Sequence, residues 1–462
     1  MADQEERNAL LDNEEEEESD DEMFQLVVHE EIADSDEEDG EDDETGDGRE
    51  RGNDGEKFDR ALPATHSYLG DGMDELSGRT VLDSEKEIEL PLLPMYGVVL
   101  MPGETLPLHL FMPQFVTMMK RCLEGNKTFG VCTIKSGSDT DEFSDVGTTA
   151  EIFSVKEDTS GGIHTMTVKA TGRQRFKIIS KRRQSDRVII ATVSVLADEP
   201  LVARPAVAFA CPRELMLAPC EQVVNTGERG KDGCVTVSKG KAKMLQQLRR
   251  DPPCLSPLPS WVYRMFDPFI LTHRVANELL AWSQNMVIKH QSDNPTEFSY
   301  WVAANLPLDD TLRLELLMTN SVIYRLQKEL DVISKYSSFC CRHCDAPIGH
   351  KDDVFSMSVD GALASYVNPG GYVHQTLTLY KVTNLSIISR PVTQDSWFPG
   401  YAWSIAQCSR CHSHMGWRFT SSRHGLRPSK FYGITRSSIK PAIVQPQNGD
   451  EEGGKSRMCR QS

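Results

Sequence analysis

Two Cys-x-x-Cys pairs set far apart limit what this chain can become more than any other feature. Cys341-Arg-His-Cys344 and Cys408-Ser-Arg-Cys411 are separated by 63 residues. Four thiolates fill a tetrahedral Zn²⁺ shell and leave no position open for water. The spacing therefore reads as one structural zinc that ties two distant segments together, with Gly416 following as a turn residue. His343, His412 and His414 stand close enough to compete as ligands, although four cysteines already satisfy the metal. The acidic start lacks an apolar core stretch, so no signal peptide is expected. No run of about 18 apolar residues marks a membrane span. A cytoplasmic and nuclear location is expected, where paired cysteines are metal sites rather than disulfides.

The tryptophans are the sharper clue to function. Six occur in 462 residues, and three of them fall within 21 positions. They lie in Ser396-Trp397-Phe398-Pro399-Gly400-Tyr401-Ala402-Trp403 and Gly416-Trp417-Arg418-Phe419. Trp is large and carries an N–H that needs a partner, so it is seldom a mere filler of small cores. Three converging faces would make a cage for a flat or compact ligand. The plainer reading makes them ordinary core residues of a small β-domain.

Residues 339–445 resemble the thalidomide-binding (CULT) domain of the cereblon family, a zinc-anchored all-β fold. The matching landmarks are Ala364-Ser-Tyr366-Val-Asn368-Pro369, Gly371-Tyr372-Val-His374, Ser396-Trp397-Phe-Pro-Gly-Tyr-Ala-Trp403 and Ala406-Gln-Cys408. The resemblance implies that Trp397, Trp403 and Trp417 cage a glutarimide or similar cyclic imide. It also implies that Asn368, Pro369 and Phe419 line the pocket. Backbone groups around Ser396 and Trp397 would bond the imide. Two positions depart from the family: Asp395 stands where a His usually precedes the Ser-Trp, and Gly370 where a His usually follows the Asn-Pro. Contacts at the rim, Asp395 among them, are the part of the pocket this puts in question.

The same domain is similar to methionine sulfoxide reductase B, through Cys408-x-x-Cys411-x-x-His414-Met-Gly416. That enzyme needs a nucleophilic Cys some twenty residues on, where this chain reads Phe431-Tyr432-Gly433-Ile434. Its chemistry requires a low-pKa thiolate. The reductase reading fails on Gly433.

Charge divides the rest. Residues 1–50 hold 25 Asp and Glu against Arg7 and Arg49, a net of −23 in a chain of −19, which leaves about +4 on the other 412 residues. Acidity is thus a property of the tail, expected to stay disordered over residues 1–85. Ser19 and Ser35 precede acidic residues and suit an acidophilic kinase. The near-neutral remainder advertises no nucleic-acid surface.

From Ile88 to Leu110 short apolar runs alternate with Pro and Gly, the pattern of short strands and tight turns. Pro113 to Glu124 has helical spacing and ends at Gly125. Strands are expected over Thr128–Lys135, Thr148–Val155, His164–Ala170, Gln174–Ile179 and Arg187–Leu196, with Gly161-Gly162 as a hairpin turn. Residues 86–197 resemble the N-terminal domain of Lon proteases, in the Leu-Pro-Leu-Leu-Pro opening, the Met-Pro-Gly turn and Ala170-Thr-Gly-Arg-Gln-Arg-Phe176. The chain is expected to hold no Gly-x-x-x-x-Gly-Lys-Ser/Thr loop for ATP phosphates, so a binding module is expected and not a protease. Residues 198–254 match neither family and read as an insertion, linker or variant exon. Residues 255–338 read as helical, with Asn294-Pro295 as one start signal, Asp309 or Asp310 as a cap, and Ser321–Ile333 as an amphipathic helix. Residues 446–462 read as a disordered tail.

The fold expected is therefore α+β and multidomain: a Lon N-domain-like β module with a helical bundle, then a CULT-type zinc domain. The resemblance implies a non-catalytic substrate receptor of a cullin-RING ubiquitin ligase. Its helical part would dock on the β-propeller DNA-damage-binding adaptor, and its cage would take thalidomide-like cyclic imides or protein ends bearing one. The rival is an aromatic cage that reads methylated ammonium groups.

Overall fold

The strand pattern of the N-terminal half closes on itself. In this computed structural model, which describes residues 57–83, 86–134, 142–159, 164–201, 264–283, 285–289 and 294–442, seven strands make the first sheet. They are β1 (Asp74–Glu75), β2 (Glu87–Tyr96), β3 (Thr105–Leu110), β4 (Thr128–Ile134), β5 (Val146–Asp158), β6 (Thr165–Arg183) and β7 (Ile189–Leu196). Their order is β1-β5-β4-β2-β7-β6-β3, and an added β5–β6 pairing turns five of them into a ring. Closure removes most of the unpaired strand edges that an open sheet would expose. The helix α2 (Pro113–Glu124; α1 is the short Ala61–Ala64) buries Val116, Met118, Met119 and Cys122. These pack with Leu106, Leu108, Phe129 and Val168 of the strands. A second apolar cluster gathers Leu90, Leu92, Cys132, Phe176 and Val193.

One expectation for this half holds and one is revised. Ile88 to Leu110 forms two strands, β2 and β3, with a turn between them that uses Gly97 and Gly103, and the first strand runs through ten residues. β2 changes partner at Leu92: its first half pairs with β7 and its second runs parallel to β4. Pro91 and Pro94 each remove a donor, yet the strand stays extended because neighbours hold it on both sides. The two strands expected at 164–179 are one, β6. It bends at register irregularities against β5 and β7 and does not break. The Gly161-Gly162 turn lies outside the described residues, although Asp158 faces Thr165 across the hairpin.

The helices start where the caps say. Asp267 accepts from the backbone N–H groups of Phe269 and Ile270 to open α3 (Pro268–Trp282), and Asn294 accepts from Thr296 to open α4 (Pro295–Asn305). Asp309 caps α5 (Asp310–Met318) through Leu312 N–H, which resolves the choice between the two aspartates. α6 (Val322–Lys335) completes the group. These helices share one apolar core with the zinc half: Leu316, Leu326 and Ile333 lie in the same cluster as Phe339, Leu379 and Ile434.

The zinc half holds a three-stranded sheet, β16-β8-β9, and a six-stranded one, β10-β11-β15-β14-β13-β12. The strands are β8 (Ser338–Cys341), β9 (Pro347–His350), β10 (Leu363–Val367), β11 (Val373–Leu379), β12 (Leu385–Ile387), β13 (Tyr401–Cys408), β14 (His414–Ser421), β15 (Lys430–Thr435) and β16 (Ile439–Ala442).

Where the halves meet, the contacts are charged and buried. Arg436 donates to Gln375 Oε1 (2.8 Å), Leu308 O (2.6 Å), Gly97 O (2.7 Å) and Asp310 Oδ1 (2.5 Å). Glu104 accepts from Ser365 Oγ and Gln375 Nε2, both at 3.0 Å, and from Arg313 at 3.3 Å. Every donor and acceptor set here draws on two or three of the β module, the helices and the zinc half.

Residues 57–83 differ from the disordered tail expected through residue 85, whose first 56 residues lie outside the described ones. Phe58 packs edge-on to Tyr401 at 5.4 Å and lies beside Phe398. The Tyr68 hydroxyl accepts from Val367 N–H at 3.1 Å. The physical reason is composition: Phe58, Pro63, His66 and Tyr68 interrupt the acidic run and give this stretch apolar surface to bury.

Candidate metal and ligand site

Each Cys-x-x-Cys pair sits where a strand ends and turns. Cys341 closes β8 and Cys408 closes β13; Cys344 and Cys411 follow in the turns. The two turns are built alike. Asp345 N–H donates to Cys341 O (3.1 Å) and His412 N–H to Cys408 O (2.9 Å), and both Asp345 (φ 61°) and His412 (φ 58°) are left-handed. Asp and His are among the side chains that tolerate this region best. Arg410 reaches across to Cys344 O at 3.3 Å and couples the two turns.

The four Sγ atoms lie within 4.8 Å of one another. Cys341 and Cys411 are 3.6 Å apart, as are Cys344 and Cys408. Zn–S bonds of about 2.3 Å at tetrahedral angles put sulfurs roughly 3.8 Å apart, so the residues fit one zinc ion with no site left for substrate. His343 and His412 are exposed beside the cluster and His414 turns elsewhere, so the four-thiol set stands without them.

The tryptophans converge some way along the same strands. Trp403 on β13 faces Phe419 on β14, and Ile405 faces Trp417. Residues two apart share a sheet face, so Trp403 with Ile405 and Trp417 with Phe419 present one wall. Trp397 comes from the loop before β13 and meets Trp417 at 4.6 Å and 72°. Behind it Tyr366 stacks at 5.1 Å. Phe398, Phe419 and Phe431 continue the aromatic packing to the interior. Gly433 lies opposite Trp417 on β15. A Cβ there would come within 2.8 Å of Thr376 Cγ2 and 2.9 Å of Phe419, so the position that a reductase thiol would occupy has no room for a side chain.

These groups enclose a cavity of about 400 Å³ lined by ten residues. Asn368, Pro369, Asp395, Trp397, Trp403, Trp417 and Phe419, all named from the sequence, are brought together there. Ser396 is not among the lining residues: it is buried, and its hydroxyl bonds Phe398 O at 3.2 Å. Being next to a wall residue in sequence does not make it part of the wall. Three lining residues, His374, Ile405 and His414, had not been assigned to the pocket. Ile405 was recoverable from the two-residue strand period once Trp403 was placed.

The cage offers faces more than donors. Trp397 Nε1–H is spent on Val367 O (3.1 Å) and Trp403 Nε1–H on Gln394 O (2.8 Å). Among the described residues none accepts from the Trp417 N–H. Asn368 Oδ1 takes Tyr372 N–H at 2.8 Å, which closes the Asn368–Tyr372 turn. His374 meets Trp417 edge-on at 5.0 Å, and so does His414. Burial, with a smaller contribution from His414, lowers the His374 pKa to about 4. Desolvation lowers His414 as well. Both rings are neutral at pH 7.

One string outside the described residues qualifies the expectation about ATP. Gly449-Asp-Glu-Glu-Gly-Gly-Lys455-Ser456 fits the spacing of a phosphate-binding loop. It carries three carboxylates among its variable positions, which repel phosphate, and spacing alone is a weak sign.

Residues 89–335 match the family model of the ATP-dependent protease La (LON) substrate-binding domain, and residues 337–453 that of Yippee zinc-binding/DNA-binding/Mis18, centromere assembly. The chain is 42% identical to protein cereblon of Xenopus tropicalis over 397 residues, covering 85% of this chain and 87% of that one. It is 41% identical to protein cereblon of Danio rerio over 404 residues, 87% of this chain and 91% of that one. A Lon N-terminal domain protein from Xanthomonas campestris is similar at 20% identity and a TM-score of 0.30, over 53% of this chain and 98% of that one, too slight a likeness to argue from. Among the described residues no helix is long and apolar enough to cross a membrane.

Proposed function

The chain belongs to the cereblon family, and on that premise we propose that it is a non-catalytic substrate receptor of a cullin-RING ubiquitin ligase. Its tryptophan cage takes cyclic imides: glutarimide, thalidomide-like molecules, or protein C-termini closed into such a ring. The helical part of the chain attaches to the β-propeller adaptor, and captured proteins are ubiquitinated by other subunits for proteasomal degradation. One zinc ion at Cys341, Cys344, Cys408 and Cys411 holds the domain, and the receptor works in cytoplasm and nucleus.

The observation that carries this reading is the three-indole cavity, in which two of the three N–H groups are already bonded to backbone. Such a site favours a compact ring presented to aromatic faces, with polar edges met by Asn368 and by backbone. The reading assigns this site binding alone and leaves ubiquitin transfer to other subunits.

Calorimetric titration of the zinc-loaded protein with glutarimide tests the reading. Saturable binding is expected, and Trp403→Ala should weaken it at least tenfold with the fold intact, because Trp403 is half-exposed. Copurification of the β-propeller adaptor tests the other half. Three indoles beside the Asp395 carboxylate also favour a second reading, capture of a methylated ammonium. A trimethyl-lysine peptide that binds where glutarimide does not would replace the first reading with the second.

A further inference from the structure

We propose that this cage discriminates among imide-ended chains by the residue before the ring, preferring Lys or Arg there, with Asp395 as the specificity-determining residue. The inference rests on the imide reading and adds to it a class of protein substrate.

Of the ten lining residues only Asp395 carries a formal charge at neutral pH. Asn368, Pro369, Ile405 and the aromatic rings are uncharged, and His374 and His414 are neutral for the reasons given. No described side chain pairs with the Asp395 carboxylate, which stands exposed at the mouth. Its position is nevertheless held from both sides. Gln394 O is fixed by the Trp403 indole at 2.8 Å, and Ser396 Oγ is folded back onto Phe398 O at 3.2 Å. Asp395 itself sits at φ 55°, the left-handed region that Asp and Asn tolerate. The rim therefore presents a single carboxylate on an anchored loop, not a charge on a swinging tether.

A chain end closed as a cyclic imide leaves its ring from the carbon beside one imide carbonyl. With the ring among the indoles, the preceding residue is the first to pass the mouth. A cation there meets an unneutralised carboxylate; a carboxylate there meets a like charge. The pair is exposed, so the effect is modest, on the order of a 2- to 5-fold gain for a cation over a neutral residue. It should shrink toward none in high salt.

The test uses the full-length zinc-loaded protein and synthetic peptides identical except for Lys, Ala or Glu before a C-terminal glutamine closed as its imide. Free glutarimide and a ring-opened peptide serve as controls. Wild type should bind in the order Lys, Ala, Glu. Asp395→Asn, which suits the same backbone, should bind all three peptides about equally when each is scaled to that variant's own affinity for glutarimide. Equal affinities in wild type, or an unchanged order in Asp395→Asn, overturn the charge selection and leave the imide reading standing. Glutarimide binding without any peptide binding overturns the protein-end class alone. Failure of glutarimide and of every closed peptide overturns both readings.

Discussion

The β module and the zinc half solve the same problem in opposite ways. The module is closed by backbone: β5 to β6 completes a ring, and two apolar clusters fill the space that closure leaves. The zinc half is two open sheets. A four-thiol cluster joins them at one end, and an aromatic cluster of Phe398, Phe419, Phe431 and their neighbours packs the other. Open sheets leave edges and faces to spare, and the cage is built from that surplus. A site with two half-exposed tryptophans, Trp403 and Trp417, in its walls needs a scaffold that does not depend on burying them. A metal clamp some distance away supplies it.

The largest test of that contrast is removal of the clamp. Cys408→Ser should reduce zinc content from about one ion per chain to none. Structural zinc of this kind contributes on the order of 10 kcal/mol, so the zinc half should lose fixed packing. Amide exchange should show β2, β4 and β5 still protected. Equal loss of protection in the β module would mean that the two halves stand or fall together.

Next in size is the charged seam. Arg436→Ala takes a buried guanidinium away from the partly exposed Asp310 and from the carbonyls of Gly97 and Leu308, at a cost of about 1–3 kcal/mol. Urea unfolding should show it, and a change below about 1 kcal/mol would demote the seam to a passive contact. Gly433→Ala is of similar size. It must displace Thr376 or Phe419, for about 1–3 kcal/mol. Its sharper readout is loss of glutarimide affinity as the Phe419 wall shifts; unchanged affinity would place that wall outside the binding surface.

The smallest effect near neutral pH is a pH dependence. His66 is 3% exposed, and burial, with the nearby Lys169 charge, lowers its pKa to about 3. The unfolded chain takes up the proton near 6.5 and the folded chain does not. Stability is therefore full above about pH 6.5 and falls as pH drops, by at most about 1.4 kcal/mol per unit per group. His66→Gln should flatten the slope, and an unaltered slope in that variant would assign it to His374, also lowered, to about 4.

What was legible in the sequence was local. Both Cys-x-x-Cys turns, the helix caps at Asn294 and Asp309 and the strand-borne indoles are written within a few residues, where periodicity and ligand spacing suffice. The Leu-Pro-Leu-Leu-Pro run hides the length of β2 because prolines signal turns, while the neighbours that keep β2 straight are distant in sequence. His414 escaped because a histidine near cysteines invites a metal reading, and the irregularity in the β13–β14 pairing beside it leaves no local mark, while His374 enters only as a landmark of the resemblance. Ser396 was named for its backbone, and its side chain turns to Phe398 O and not to the cavity. Glu104 and Arg436 could not be found at all: the first lies in a turn and the second after a strand, and neither pattern points to the other's surroundings.

The Arg436 seam also sets an order of events during synthesis. Arg436 bonds Gly97 O across 339 positions of chain. The β module is complete by Leu196 and can close while the rest is still being made, since domains tend to fold as they emerge. Leu308, Asp310 and Gln375, by contrast, offer acceptors to a guanidinium that leaves the ribosome near the end. Until then their side of the seam lacks its cation, and before β8 emerges the helices also lack the zinc half whose core they share. A chain halted before Ser338 would thus present a finished β module attached to an uncovered apolar surface, the kind of intermediate that chaperones hold and proteases remove.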